Sequence, residues 1–109
     1  MYKRIVLKIS GEALAGEQQG IPFFEPIVDE LVRQVKAVLE KGTQVSLVIG
    51  GGNFWRGRSA NSHMDRTKAD QIGMLATVMN AIYVADALRQ KGIGAVVQTP
   101  FVVGTMTEL

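Results

Sequence analysis

Val45–Gly57 reads VSLVIGGGNFWRG: an apolar run, three consecutive glycines, an asparagine, two aromatic residues and an arginine. An apolar run closed by glycine reads as a buried strand, and glycines let backbone N–H groups come close to a bulky anion with no Cβ in the way. Phosphate is the natural anion. The rest of the chain then divides into what builds, supports or complements a phosphate site at the end of this strand.

Upstream, Arg4–Ile9 (RIVLKI) is a near-continuous apolar run rich in β-branched residues, the pattern of a strand covered on both faces in a parallel sheet. It runs out in Lys8-Ile9-Ser10-Gly11-Glu12. Glu12 to Phe24 reads as a loop, because Gly16, Gly20 and Pro22 forbid a long regular element. From Glu25 the period changes. Pro26 suits a first helical turn, Ile27, Val28, Leu31, Val32, Val35, Val38 and Leu39 recur on one face, and Gly42 is placed as a C-terminal cap. Thr43–Ile49 is the second strand, so the opening unit is strand, helix, strand, for which a parallel crossover is expected.

Downstream, Asn53 to Ser62 is polar and small, with Arg56 and Arg58, and reads as a short helical turn and loop. A second long helix is expected from about Asp65 to Lys91, closed by Gly92. Its middle is apolar nearly all round, through Met74, Leu75, Val78, Met79, Ile82 and Leu88. One sheet face cannot cover such a helix, so its outer side is expected to meet another subunit or a further domain. Gly94–Thr99 (GAVVQT) reads as a third strand. Three strands and two helices make a thin α/β unit beside the usual about four to six strands. The chain also stops on an apolar segment without a terminating signal. Residues 1–109 are therefore expected to be the front part of one larger α/β domain.

Composition narrows the function. The chain of 109 residues is 47% hydrophobic and 20% charged, ordinary for a globular domain. The formal net charge is +2 and the basic residues are dispersed, so no basic stripe marks a nucleic-acid partner. There is no Cys, which excludes disulfides, thiolate metal sites and a Cys nucleophile and agrees with a reducing compartment. The apolar run after Met1 is too short for a signal sequence or a membrane span. A soluble cytoplasmic protein is expected.

In a parallel pair, both strands end at one sheet edge, where ligands of open α/β sheets bind. Lys8-Ile9-Ser10-Gly11 and Gly50-Gly51-Gly52-Asn53 would converge there. Glycine N–H groups suit phosphate oxygens, Lys8 brings a mobile charge, and Arg56 a bidentate fork. Read singly, Lys8 is a solvated strand-end lysine, the glycines a loose turn, and Arg56 an arginine of no special meaning; read together at matched strand ends they make a phosphate site, without saying whose phosphate. Asp70 sits one turn before the apolar part of the second long helix, where a substrate held by the glycine loop could reach; its plainer reading is a first-turn carboxylate favoured by the helix dipole. Neither the Walker pattern nor G-x-G-x-x-G is present. His63, the single histidine, reads as a surface residue in a polar loop.

KISGEAL after the first strand, VIGGGNFWRG after the second and ADQIGMLATVMN in the second long helix closely resemble the bacterial uridylate kinase (UMP kinase) family, of the amino-acid kinase fold. The resemblance covers essentially the whole chain and the front half of a family chain. It implies an α/β three-layer sandwich with a parallel sheet, present here as a partial domain. The front, UMP-side half would be present, and the nucleotide-binding half, with its adenine pocket and magnesium-associated carboxylate, would lie beyond. It implies transfer of a phosphoryl group from ATP to UMP, with Mg2+, in pyrimidine nucleotide biosynthesis. Lys8, Ile9, Ser10 and Gly11 resemble the segment lining the ATP phosphates, and Gly51 a UMP contact. Gly52 and Arg56 stand where donor and acceptor phosphates meet, and Asp70 resembles the carboxylate holding the UMP ribose. No residue here is implied as a metal ligand. The resemblance further implies a homo-oligomer, a hexamer in the family, and regulation by GTP. The Gly16–Gly20 loop resembles a regulatory segment, and Ala85 and Arg89 stand where some relatives carry other effector-contacting residues. Two alternatives remain at this level: a relative that phosphorylates a carboxylate or carbamate, and a non-catalytic phosphate-binding or assembly module.

Overall fold

The computed structural model of the chain describes residues 3–16, 22–54 and 64–109. Two strands and three helices follow in the order β1 (Arg4–Ile9), α1 (Gly11–Ala15), α2 (Glu25–Glu40), β2 (Gln44–Ile49) and α3 (Arg66–Gln90). β1 and β2 pair in parallel, with Arg4 opposite Gln44 and Ile9 opposite Ile49. The crossover between them contains α2, as the strand-helix-strand pattern requires.

Alternation along the strands separates two faces. Ile9, Leu47 and Ile49 turn to the helices and pack with Val28, Val32 and Val35 of α2 and Val84 and Leu88 of α3. The opposite face carries Val6, 69% exposed, and Val48, 54% exposed. Lys8, also exposed, shares it by alternation. The helical periodicity therefore resolves into one apolar core on one side of a parallel sheet, the α/β class expected. α2 has Pro26 in its first turn, and the chain leaves α2 and α3 through Gly42 and Gly92 at φ of 87° and 82°. A side chain at those φ values would be strained, so these glycines stop the helices.

α3 is long and apolar enough, by length and composition, to cross a membrane. In this fold it is a core element, with Val84 and Leu88 buried beside Val35 and Ile49. Its outer side leaves Ile72, Met74, Leu75 and Met79 between 38% and 53% exposed. The expected surplus of apolar surface on this helix is thus real.

Two expectations are corrected. The start of the Glu12–Phe24 loop is helical. α1 is a single turn, capped by Ser10, whose Oγ accepts from the Ala13 N–H at 3.2 Å, and it buries Leu14 to 1% exposure. So short a helix has no periodicity to read. The second correction concerns Gly94–Thr99, which forms no third strand of the sheet. The carbonyl of Ala95 is taken by the Arg89 guanidinium, from Nε at 3.0 Å and Nη2 at 2.6 Å. Thr99 N–H and Val97 C=O bond instead to Glu108, at 2.7 and 2.8 Å, as an isolated bridge. A cleft of about 440 Å³ is lined by β2 on one side and residues 93–98 on another. β-branched residues make a strand only where a neighbour offers a ladder, and here the backbone groups are engaged elsewhere.

Candidate active site

The ends of β1 and β2 meet as the parallel pairing requires. Gly50 N–H donates to Ile9 C=O at 2.9 Å, carrying the ladder one step past the strands. Beyond it the two loops touch backbone to backbone. A Cβ on Gly11 would lie 2.4 Å from the Gly52 nitrogen and 2.6 Å from Asn53 Oδ1. Gly51 presses on α3, where a Cβ would meet Ala76 Cβ and the Thr77 nitrogen at 2.9 Å and the Gly73 carbonyl at 3.1 Å. A Cβ on Gly52 would meet Glu12 Oε1 at 2.9 Å. Gly11 and Gly51 are thus required first by protein packing, because backbone segments approach there closer than any side chain permits, whereas the neighbour of Gly52 is the end of a flexible side chain that can move aside.

The loop is anchored rather than loose. Asn53 and Asn80 form a reciprocal amide pair, Nδ2 to Oδ1 at 3.1 Å in one direction and 2.6 Å in the other. The second Asn80 N–H reaches Gly50 C=O at 2.6 Å, and the second Asn53 N–H reaches Pro22 C=O at 2.8 Å. Both amide groups have spent both donors. Asn80 is fully buried, at 0% exposure. Phe54 N–H closes a turn on Gly51 C=O at 3.0 Å. The Phe54 ring meets Phe23 edge-on at 5.6 Å, while Phe23 stacks on Tyr83 of α3 at 3.7 Å. Sequence reading assigned neither asparagine a role. The available signal was an amide in the apolar middle of α3, a buried polar group that must find a partner.

The other expected site residues fall into three groups. Lys8, Ser10, Gly11, Gly51 and Gly52 lie together at this sheet edge, with Ile9 joined to Gly50 and the Ser10 hydroxyl engaged in capping α1. Asp70 lies on α3 one turn before Gly73, on the side of the helix that carries Gly73 and Thr77 against the loop. It is 65% exposed and stands 3.9 Å from Arg66. Arg56, Arg58 and His63, with residues 17–20 of the regulatory-like loop, lie outside the described residues. Ala85 is buried, and Arg89 is engaged with Ala95.

Chemically, this edge combines a lysine, glycine N–H donors and a carboxylate one helical turn away, the parts of a site for a phosphate carried on a polar body. No group of three His, Cys, Asp or Glu side chains is placed to hold a metal among the described residues.

Comparison with known proteins bears on the family and the fold. The model of the amino acid kinase family matches residues 3–106. The chain belongs to the amino acid kinase family. Among curated members, it is 50% identical over 99 residues to the uridylate kinases of two Streptococcus thermophilus strains. That match takes in 90% of this chain and 40% of theirs. Among solved structures, UMP kinase from Bacillus anthracis superposes with a TM-score of 0.90 at 34% identity, over 99% of this chain and 45% of that one. UMP kinase from Ureaplasma parvum gives 0.88 at 32% identity, over 99% and 46%. The chain thus spans less than half the length of these amino acid kinase family relatives, and over that span its fold is theirs.

Proposed function

We propose that the full-length protein carrying this chain is a uridylate kinase that transfers the γ-phosphoryl group of ATP to UMP, giving UDP and ADP. The observation that carries this reading is the contact between the Ser10-Gly11 loop and the Gly50–Gly52 loop at one sheet edge, in a chain half identical to uridylate kinases. A phosphate oxygen of UMP attacks the γ-phosphorus, the bond to the β,γ-bridging oxygen breaks, and ADP leaves with that electron pair. The acceptor oxygen is already anionic, so no general base is needed, and catalysis reduces to alignment and charge neutralisation.

In this reading Lys8 neutralises charge on the transferring group, and residues 9–11 line the ATP phosphates. N–H groups of Gly51 and Gly52 hold the phosphates of acceptor and donor. Arg56 bridges the two, and Asp70 receives ribose hydroxyls of UMP. The magnesium of such a reaction finds no ligand cluster among the described residues. The exposed apolar side of α3, with Ile72, Leu75 and Met79, is the surface offered to a second subunit of a homo-oligomer. A hexamer, GTP regulation and a cytoplasmic location belong to the same reading by family likeness.

A coupled assay of ADP release by the full-length protein, offered UMP, CMP, glutamate and carbamate in turn, tests it. UMP-dependent release is expected. Release with glutamate or carbamate and none with UMP would assign the chain to another branch of the family.

A further inference from the structure

Phosphate recognition by a glycine loop depends on where the loop is held, and Asn80 is the side chain that holds it. We infer that Asn80 is a positioning residue for phosphoryl transfer, acting through the Gly50 carbonyl and Asn53; the inference rests on the kinase reading above for its reaction. Among the described residues, the side-chain hydrogen bonds of Asn80 go to Gly50 and Asn53 rather than to the residues expected on the phosphates. Its Nδ2 donates to Gly50 C=O and to Asn53 Oδ1, both at 2.6 Å, and its Oδ1 accepts from Asn53 Nδ2 at 3.1 Å. These three bonds grip the loop on either side of Gly51 and Gly52. The two glycines between the grips are held from both ends, so the amide pair sets the direction in which their N–H groups point.

The helix that carries Asn80 also carries Asp70 and the Gly73–Thr77 floor on which Gly51 rests. α3 therefore acts as one strut that fixes the spacing between loop N–H groups and the carboxylate. A nucleotide monophosphate, with phosphate at one end and ribose hydroxyls a few ångströms away, is the substrate class for which that spacing matters. An inorganic phosphate would not sense it. A fully satisfied buried amide network is rigid, which suits a positioning role.

The test uses Asn80→Leu in the full-length protein, a substitution that keeps the branched side-chain skeleton and removes every side-chain hydrogen bond. Val84→Ala, in the same helix and buried in the core, serves as a control for lost stability alone. Asn80→Leu is expected to lower kcat with UMP about 10-fold to 100-fold, the scale of a misplaced reacting group. The KM for ATP should stay within about threefold of wild type, a change of under ~1 kcal/mol in binding. Amide exchange of Phe54, whose N–H closes the loop on Gly51, should quicken about tenfold or more, while the β1–β2 ladder keeps its protection. Val84→Ala should produce neither the kcat loss nor the local exchange change. Equal kcat losses in both variants, or unchanged exchange at Phe54 in Asn80→Leu, would overturn the inference. If wild type shows no UMP-dependent ADP release, the kinase reading fails by itself, and Phe54 exchange still decides whether Asn80 holds the loop.

Discussion

Gly11 and Gly52, which belong to loops at the ends of different strands, are in direct backbone contact: a Cβ on Gly11 would stand 2.4 Å from the Gly52 nitrogen. No real Cβ tolerates that approach to backbone, so Gly11→Ala must push the two loops apart. The expected cost is about 1–3 kcal/mol of stability, the range for overpacking a fitted site. Turnover with UMP should fall as well, because both loops line the phosphates in the proposed reaction. Urea denaturation and the ADP-release assay read the two effects. Wild-type stability in Gly11→Ala would mean the loops do not touch in solution.

Lys8 lies on the exposed face of β1, two residues before the Ser10 cap, and contributes nothing to the core. Lys8→Ala should therefore leave the fold intact and act on the chemical step. A lost charge on the transferring phosphoryl group is worth about 10²–10³ in kcat. UMP binding, measured by calorimetry without ATP, should change far less. Equal losses in turnover and in UMP affinity would contradict the assigned role.

Asp70 pairs with Arg66 only across 3.9 Å on the surface, an interaction worth about 0–1 kcal/mol. Asp70→Asn is accordingly expected to leave the urea midpoint nearly unchanged. If the carboxylate receives ribose hydroxyls, KM for UMP should rise about tenfold, equivalent to ~1.4 kcal/mol from a charge-assisted hydrogen bond. An unchanged KM would remove Asp70 from the site.

Glu30 supplies the pH dependence. Hydrogen bonds from Arg33 and then from Gln34 hold its carboxyl well below the ordinary value, from 4.5 down to about 2. The folded value lies below the unfolded one. The pair's contribution is therefore fully present above about pH 4.5 and is lost as pH falls toward about 2. An NMR titration of the Glu30 side chain should give a midpoint near the lower figure, and Glu30→Gln should flatten the acid limb of the stability curve. A midpoint at 4.5 would show that the exposed pair does not persist in solution.

Much of the architecture was legible because its causes are local in sequence. β1 is found at Arg4–Ile9 as its apolar run indicated, and α2 and α3 run between the expected start signals and the glycines that stop them. The meeting of the two loops followed from parallel pairing alone. The one-turn α1 was not legible, since a single turn has no period. The failure at Gly94–Thr99 has a different origin: the residues have strand character, but Arg89 takes the Ala95 carbonyl and Glu108 pairs with Val97 and Thr99. Which partner a backbone group takes is decided in three dimensions.

The α/β class, the parallel pair, the apolar excess on α3 and the motifs that mark the family can all be read along the chain, because each rests on periodicity, caps or glycine placement within a few residues. What the glycines and asparagines do emerges only when distant segments are packed together. Gly51 is pressed against Gly73 and Ala76, and Asn53 is locked to Asn80, 27 residues further on. The physical reason is that close backbone packing and buried amide pairing are relations between distant segments. Propensity describes one segment at a time and cannot express them.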